Sequence, residues 1–195
     1  NPIAGGKNKN HFSKVIASHL NTSKFEYELI QTESEKHAYE LTKAAILNGA
    51  EVVVAVGGDG TINEMVNGIC ENQRTATEDL CTINLLPVGT GNDWVRGQRE
   101  KLSVQNLVAR IQKNKTEIKN LGCVALKYPP QKRYFINVAG AGIDGRVVQE
   151  IQHFSDTGRK GKLVYVQGLL KALFNFETAK ISLYIDGQHL SSALA

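Results

Sequence analysis

Residues 52–68 read VVVAVGGDGTINEMVNG: a branched apolar run ends in Gly57-Gly58-Asp59-Gly60, and helical spacing begins at Thr61. A strand that turns through glycines into a helix brings bare backbone N–H groups and a helix N-terminus to one point. That favours an anion, and phosphate is the natural guest. Glycine permits positive φ and leaves room for phosphate oxygens, while Thr61 can cap the helix or offer its hydroxyl. The Asp59 carboxylate sits badly beside a polyanion unless it works through Mg2+ or takes a proton from a hydroxyl, and both serve phosphoryl transfer. The alternative is a plain tight turn in which Asp59 bonds nearby amides. For this tetrapeptide alone both readings stand, since short motifs match by chance.

A second run, LLPVGTGNDWVR at 85–96, places Thr90, Gly91, Asn92 and Asp93 after another apolar strand. The opening NPIAGG adds Asn1 and the Gly5-Gly6 backbone. If the strands share one sheet, these loops face one crevice beyond its carboxyl edge. There is no GxGxxG after a first strand and no GxxxxGK[ST], so the arrangement is neither a dinucleotide fingerprint nor a Walker A loop.

The elements that must hold these loops follow from the apolar spacing. Helices are expected at 11–20, 33–49 (closed by Gly49), 61–70 and 103–113, and strands at 25–32, 51–56 and 81–88. EVVVAV is too continuously apolar for a strand with one wet face and should be buried on both. The alternation indicates an open α/β nucleotide-binding domain, expected to start with a strand ahead of Asn1. Beyond about 115 the pattern turns β-rich. Strands at 115–128 and 132–140 join through Pro129-Pro130, helical insertions lie at 144–154 and 162–176, and a hairpin turns at Asp186-Gly187. The domain division is therefore 1–117 and 118–195, the second part β-rich and incomplete.

Composition narrows the classes. The chain has 195 residues, 42% of them hydrophobic, enough to bury a core. Its three cysteines, Cys70, Cys81 and Cys123, lie far apart without CxxC spacing, which argues against a disulfide framework or zinc site and points to a reducing, cytoplasmic compartment. No apolar run approaches the roughly 20 residues that span a bilayer. Residues 1–100 carry 9 Lys and Arg against 13 Asp and Glu, whereas 101–195 carry 14 against 6. A solvated lysine-rich face is the first explanation of the basic half, and peripheral contact at the inner membrane surface the second. Aromatics do not interleave with the basic residues in any RNA-reading motif, so nucleic acid is not expected as a partner. The five histidines lack metal-ligand spacing, and no GxSxG elbow supports an acyl-transfer hydrolase. The apolar run after RKGK at 159–162 reads first as core, then as a membrane-docking or lipid-lining helix. Oligomeric state is not encoded in any pattern.

NPIAGG, GGDGTINEMVNG, LLPVGTGNDWVR and YFINVAGAGIDGRV occur in an order that resembles the diacylglycerol kinase catalytic domain family, with its sphingosine, ceramide and bacterial lipid kinases. The resemblance implies a lipid kinase that transfers the γ-phosphate of ATP to a lipid hydroxyl, with Mg2+, between an α/β domain and a C-terminal β-sandwich. It implies nucleotide contacts at Asn1, Gly5, Gly6, Thr32, Gly57, Gly58, Asp59, Gly60, Thr61, Ile62, Asn63 and Thr90. Gly91, Asn92, Asp93 and Asp144 would line the substrate cleft. Asp59 would be the catalytic base by likeness to sphingosine kinases. By likeness to the bacterial enzymes the base would lie in a later DG-containing segment, and that segment and their structural Mg2+ ligands have no match before Ala195. The metal is accordingly expected beyond Ala195 or through Asp59, and the chain is expected to be a fragment. Two alternatives stay open. One is an NAD kinase, which shares GGDG but differs at PVGTGND; the other is a nucleotide or lipid sensor without chemistry.

Overall fold

The fold comes from a computed structural model, which describes residues 9–22, 25–72, 81–88, 93–96, 103–140, 142–156, 162–174 and 180–194. They form two compact units, 1–138 and 139–195.

The first unit is built on a parallel pair of strands, β1 (Val52–Gly57) and β2 (Thr82–Pro87). Their β-branched and apolar residues point alternately to two faces, and helices cover both. On one face Val53, Ala55 and Leu85 pack against Ala38 of α2 (His37–Leu47) and against Ile62, Met65, Val66 and Ile69 of α3 (Asp59–Asn72). These four α3 positions follow i, i+3, i+4, i+7, one stripe of a helix. On the other face Leu86 packs with Ile16 of α1 (Lys9–Asn21) and Val104 of α5 (Val104–Gln112), with Val54 and Val56 half-buried beside them. The expected cover of EVVVAV from both sides therefore holds for residues 53–56, while Glu51 and Val52 stay exposed.

Helix ends follow local chemistry. Ser103 caps α5, its Oγ accepting from the Asn106 N–H at 3.2 Å. Gly49, at φ +85°, closes α2 as expected. That helix starts at His37 rather than 33 because Lys36 is held in the left-handed region at φ 64°.

The segment 25–32 is a correction: it forms no strand. Tyr27, Leu29 and Ile30 stand 39–46% exposed. Alternation marks a side to be buried, but a strand also needs a hydrogen-bonding neighbour, and among the described residues none lies alongside. Residues 115–121 are likewise outside any strand. The antiparallel hairpin of β3 (Gly122–Lys127) and β4 (Pro130–Phe135) begins only at Gly122. The hairpin belongs to the first unit, with Tyr134 and Ile136 packed on the α2–α3 core.

The second unit contains α6 (Ile143–Asp156), α7 (Lys162–Phe174) and the antiparallel hairpin β5 (Lys180–Ile185) and β6 (Gln188–Leu194). Asp186 and Gly187, both at positive φ, make its two-residue turn. Helices α6 and α7 meet where Gly168 faces Ile151 and Ala172 is fully buried. Glu150 spans the pair, its carboxylate 2.7 Å from Lys171 and 3.6 Å from Arg146. The Lys171 hydrogen bond, with the nearby positive charges, holds Glu150 below the usual carboxylate range. Among the described residues no helix is long and apolar enough to cross a membrane.

Candidate active site

Parallel pairing sends the chain out of β1 and β2 at the same edge of the sheet. Gly57 lies opposite Pro87, and the Val88 N–H donates to the Gly57 carbonyl at 2.9 Å. From that shared edge α3 starts at once with Asp59, and α4 (Asp93–Arg96) is the next described helix after β2. Asp59 joins them. Its Oδ2 accepts from the Asp93 N–H at 3.0 Å and its Oδ1 from the Trp94 N–H at 3.3 Å. These amides open α4 and have no partner within their own helix. Both sequence readings of Asp59 thus touch the same geometry: the carboxylate does bond amides, but those of the second loop rather than its own turn. An ionised carboxylate accepts about four hydrogen bonds. Two are used by α4, and the rest remain for a hydroxyl or cation.

The glycines work differently from expectation. Gly57, Gly58 and Gly60 are not among the residues at positive φ. At Gly57 the requirement is space, because a Cβ there would lie 2.5 Å from the Thr61 Oγ1. At Gly60 a Cβ would meet nothing within 4 Å, so this position opens outward. Thr61 is buried at 8% exposure and Ile62 at 0%. The Ile62 side chain belongs to the core, and its N–H donates to the Gly58 carbonyl at 3.2 Å. Asn63 is half-buried, and its carbonyl accepts from Asn67 Nδ2 at 2.8 Å.

The structure therefore gathers Gly57, Gly58, Asp59, Gly60, Thr61 and Asp93 at one sheet edge. Thr32 lies in the non-strand segment before α2, half-buried. Asp144 is the second residue of α6, in the second unit, with its carboxylate folded over Gly140. Asn1, Gly5, Gly6, Thr90, Gly91 and Asn92 lie outside the described residues. Among the described residues no three His, Cys, Asp or Glu side chains converge as a metal cage.

The sequence reading overlooked a second set of α3 residues. Glu64 Oε1 accepts from the Lys36 N–H at 3.2 Å, just ahead of α2. Asn67 grips β4: its Nδ2 donates to the Tyr134 carbonyl at 2.9 Å and its Oδ1 accepts from the Tyr134 N–H at 2.8 Å. Glu71 pairs with Lys43 of α2 at 3.4 Å. At Gly68 a Cβ would lie 2.7 Å from the Tyr39 carbonyl, so glycine lets α2 and α3 approach. The available signal was spacing, for 64, 67, 68 and 71 form a stripe beside the apolar one. Between α2, α3 and β4 lies a cavity of about 550 Å³, with Lys36, Tyr39, Glu64, Asn67, Gln131 and Arg133 among its lining. Near the end of α3, burial pushes the Cys70 thiol upward, and the charge of Cys123 on β3 adds to it.

The diacylglycerol kinase catalytic domain model matches residues 1–124, well over half of the chain. The chain belongs to the diacylglycerol kinase catalytic domain family. It is 28% identical over 197 residues to a diacylglycerol kinase of Bacillus subtilis (strain 168), covering 96% of this chain and 58% of that protein. To a diacylglycerol kinase of Staphylococcus haemolyticus (strain JCSC1435) it is 28% identical over 142 residues, covering 73% and 40%. The chain thus spans about half the length of these relatives. A crystal structure of a diacylglycerol kinase from Bacillus anthracis str. Sterne superposes with TM-score 0.63 at 19% identity, over 100% of this chain and 59% of that one. That likeness shows a shared mixed α/β fold. In this family member the motif GGDGTINEMVNG is a turn plus the helix that organises its neighbours.

Proposed function

We propose that this chain is part of an ATP-dependent lipid kinase: ATP binds with its phosphates at the Gly57–Thr61 turn, and a lipid hydroxyl accepts the γ-phosphate. In this reading residues 1–117 form the nucleotide domain and 118–195 part of a β-sandwich lipid domain, and the protein works in the cytoplasm at the inner membrane surface. The observation that carries it is the Asp59 bridge, which ties the start of α3 to the start of α4 beyond one sheet edge while Gly60 leaves space beside it. Family membership supports the same class.

The residues present suit a nucleotide with Mg2+. The first turn of α3 offers amides to an anion, and Asp59 keeps acceptor capacity next to Asp93. Mg2+ is commonly held by one or two carboxylates together with phosphate oxygens, so Asp59 would be the ligand this part of the chain supplies, with others expected beyond Ala195. When bound, the ion supplies charge neutralisation at the transferring phosphoryl group. The chain's own part is positional. The α4 amides orient the Asp59 carboxylate, and its remaining lone pairs can take the proton of an acceptor hydroxyl. The Thr90–Asn92 stretch and Asn1 with Gly5-Gly6 would complete the cradle, while Thr32 would border it and Asp144 would serve the lipid side.

A second reading, a nucleotide-binding protein without transfer, draws on the same bridge, because a carboxylate engaged by two amides can be purely structural. Labelled ATP with Mg2+ and a panel of diacylglycerol, sphingoid base, phosphatidylglycerol and polyprenol separates the two when given to the complete protein. The kinase reading expects label on one lipid and a loss of about 100-fold or more in Asp59→Asn with ADP binding retained. Binding without labelled lipid establishes the second reading. Turnover unchanged in Asp59→Asn removes Asp59 from the chemistry.

A further inference from the structure

We infer that Asn67 is a positioning residue, through which the helix that starts at Asp59 holds the β3–β4 hairpin in register. Tyr134 lies opposite Cys123 in the hairpin, yet its N–H and C=O both point to the Asn67 carboxamide, at 2.8 and 2.9 Å. It therefore faces away from β3, and the amide side chain stands where a third strand's peptide group would stand. A carboxamide is suited to this because one end donates and the other accepts, as a peptide does. A third bond, from Nδ2 to the Asn63 carbonyl at 2.8 Å, pins the side chain to its own helix.

Asp59 and Asn67 are eight residues apart on one helix, about 12 Å of rise. The first grips the α4 turn and the second grips β4, so a rigid helix carries both attachments. In the proposed kinase β3–β4 opens the lipid half, and this inference rests on that reading: Asn67 would set the lipid half against the phosphate turn without touching nucleotide. Loss of the clamp should therefore lower kcat for the lipid while leaving nucleotide affinity alone.

The experiment uses the complete protein and Asn67→Asp, which is isosteric but exchanges the donor for a second acceptor facing the Tyr134 carbonyl. Amide hydrogen exchange at Tyr134, ADP titration and lipid phosphorylation are measured together. At pH 7 the Tyr134 protection factor should fall about tenfold and kcat about tenfold, with the ADP Kd within about twofold. Below about pH 4 the introduced carboxyl is protonated and can donate again, so the Tyr134 protection factor should recover, a pH profile that a role in volume alone would not produce. If Asn67→Asp loses its overall fold, Asn67→Gln keeps both groups and should retain at least half of the ADP-bound fraction while shifting Tyr134 protection. Unchanged Tyr134 protection and kcat at pH 7, or a fall that does not recover on acidification, overturns the inference. Absence of ADP binding in the unsubstituted protein overturns the kinase reading instead, and the Tyr134 exchange result still decides the clamp.

Discussion

Helices α3 and α7 have almost the same length, 14 and 13 residues, and both carry apolar side chains on more than one turn. Their surroundings differ sharply. In α3 the apolar stripe is buried against the sheet, and the polar residues beside it reach other elements: Asp59 to α4, Glu64 to the head of α2, Asn67 to β4, Glu71 to Lys43. In α7 the buried side is made of the small residues Gly168 and Ala172, while Val166, Leu170, Leu173 and Phe174 stand 48–85% exposed within the described residues. An apolar helix is buried only where another element is present to cover it. The polar positions of α3 are more informative, because each one names a partner through a hydrogen bond whose geometry is directional.

The contrast can be broken most severely at Ile62. Ile62→Ala removes a fully buried side chain at the head of the α3 stripe and should cost about 3 kcal/mol, read as a lower urea midpoint. A loss below about 1 kcal/mol would mean that α3 is not the packing centre of its unit. Next comes a pair of identical chemistry. Gly68→Ala should destabilise by about 1–2 kcal/mol, because its Cβ overlaps the Tyr39 carbonyl. Gly145→Ala on α6, where a Cβ meets nothing within 4 Å, should stabilise by about 0.5 kcal/mol through helix propensity. Thermal unfolding of both variants checks whether the sign reverses.

Glu150 sharpens the comparison through pH. Its folded-state value lies below the ordinary carboxylate range, so its contribution is present above that range and fades as pH falls through the folded value. Urea midpoints of the unsubstituted chain and Glu150→Gln should differ at pH 7 and converge on acidification. Lys171 and Arg146 are each nearly half exposed, so the difference should be small and should shrink with salt. Smallest of all, Leu173→Gln on the outer side of α7 should leave the stability of the 195-residue chain within about 0.5 kcal/mol. A larger loss would show that this side chain is covered in solution.

Much of this architecture could be read beforehand from particular residues. The continuous apolar run of β1 announced burial on both faces, and its flanking glycines announced the turn into a helix. Gly49 closed α2, Ser103 opened α5, and Asp186-Gly187 made a hairpin, because each of these devices acts within a few residues. Segment 25–32 shows the limit. Its alternation is as regular as that of a strand, but pairing depends on a neighbour elsewhere in the chain. The candidate site divides the same way. Gly57, Asp59 and Asp93 were legible as chemistry-bearing residues, whereas Glu64, Asn67 and Gly68 were not, since an exposed polar stripe and a contact-making one have identical spacing.

By itself, then, the order of residues determined the local devices: the apolar periods, caps, turn glycines and motif types that mark this chain as a member of its kinase family. Those depend on interactions between residues only a few positions apart. Tertiary structure alone decided that the Asp59 carboxylate reaches across 34 positions to the α4 amides, that Asn67 reaches across 67 to Tyr134, and that Gly68 yields its side chain to the Tyr39 carbonyl. The first two join residues whose separation along the chain says nothing about their distance in space. A hydrogen bond is made only when the fold has brought donor and acceptor within about 3 Å and aligned them.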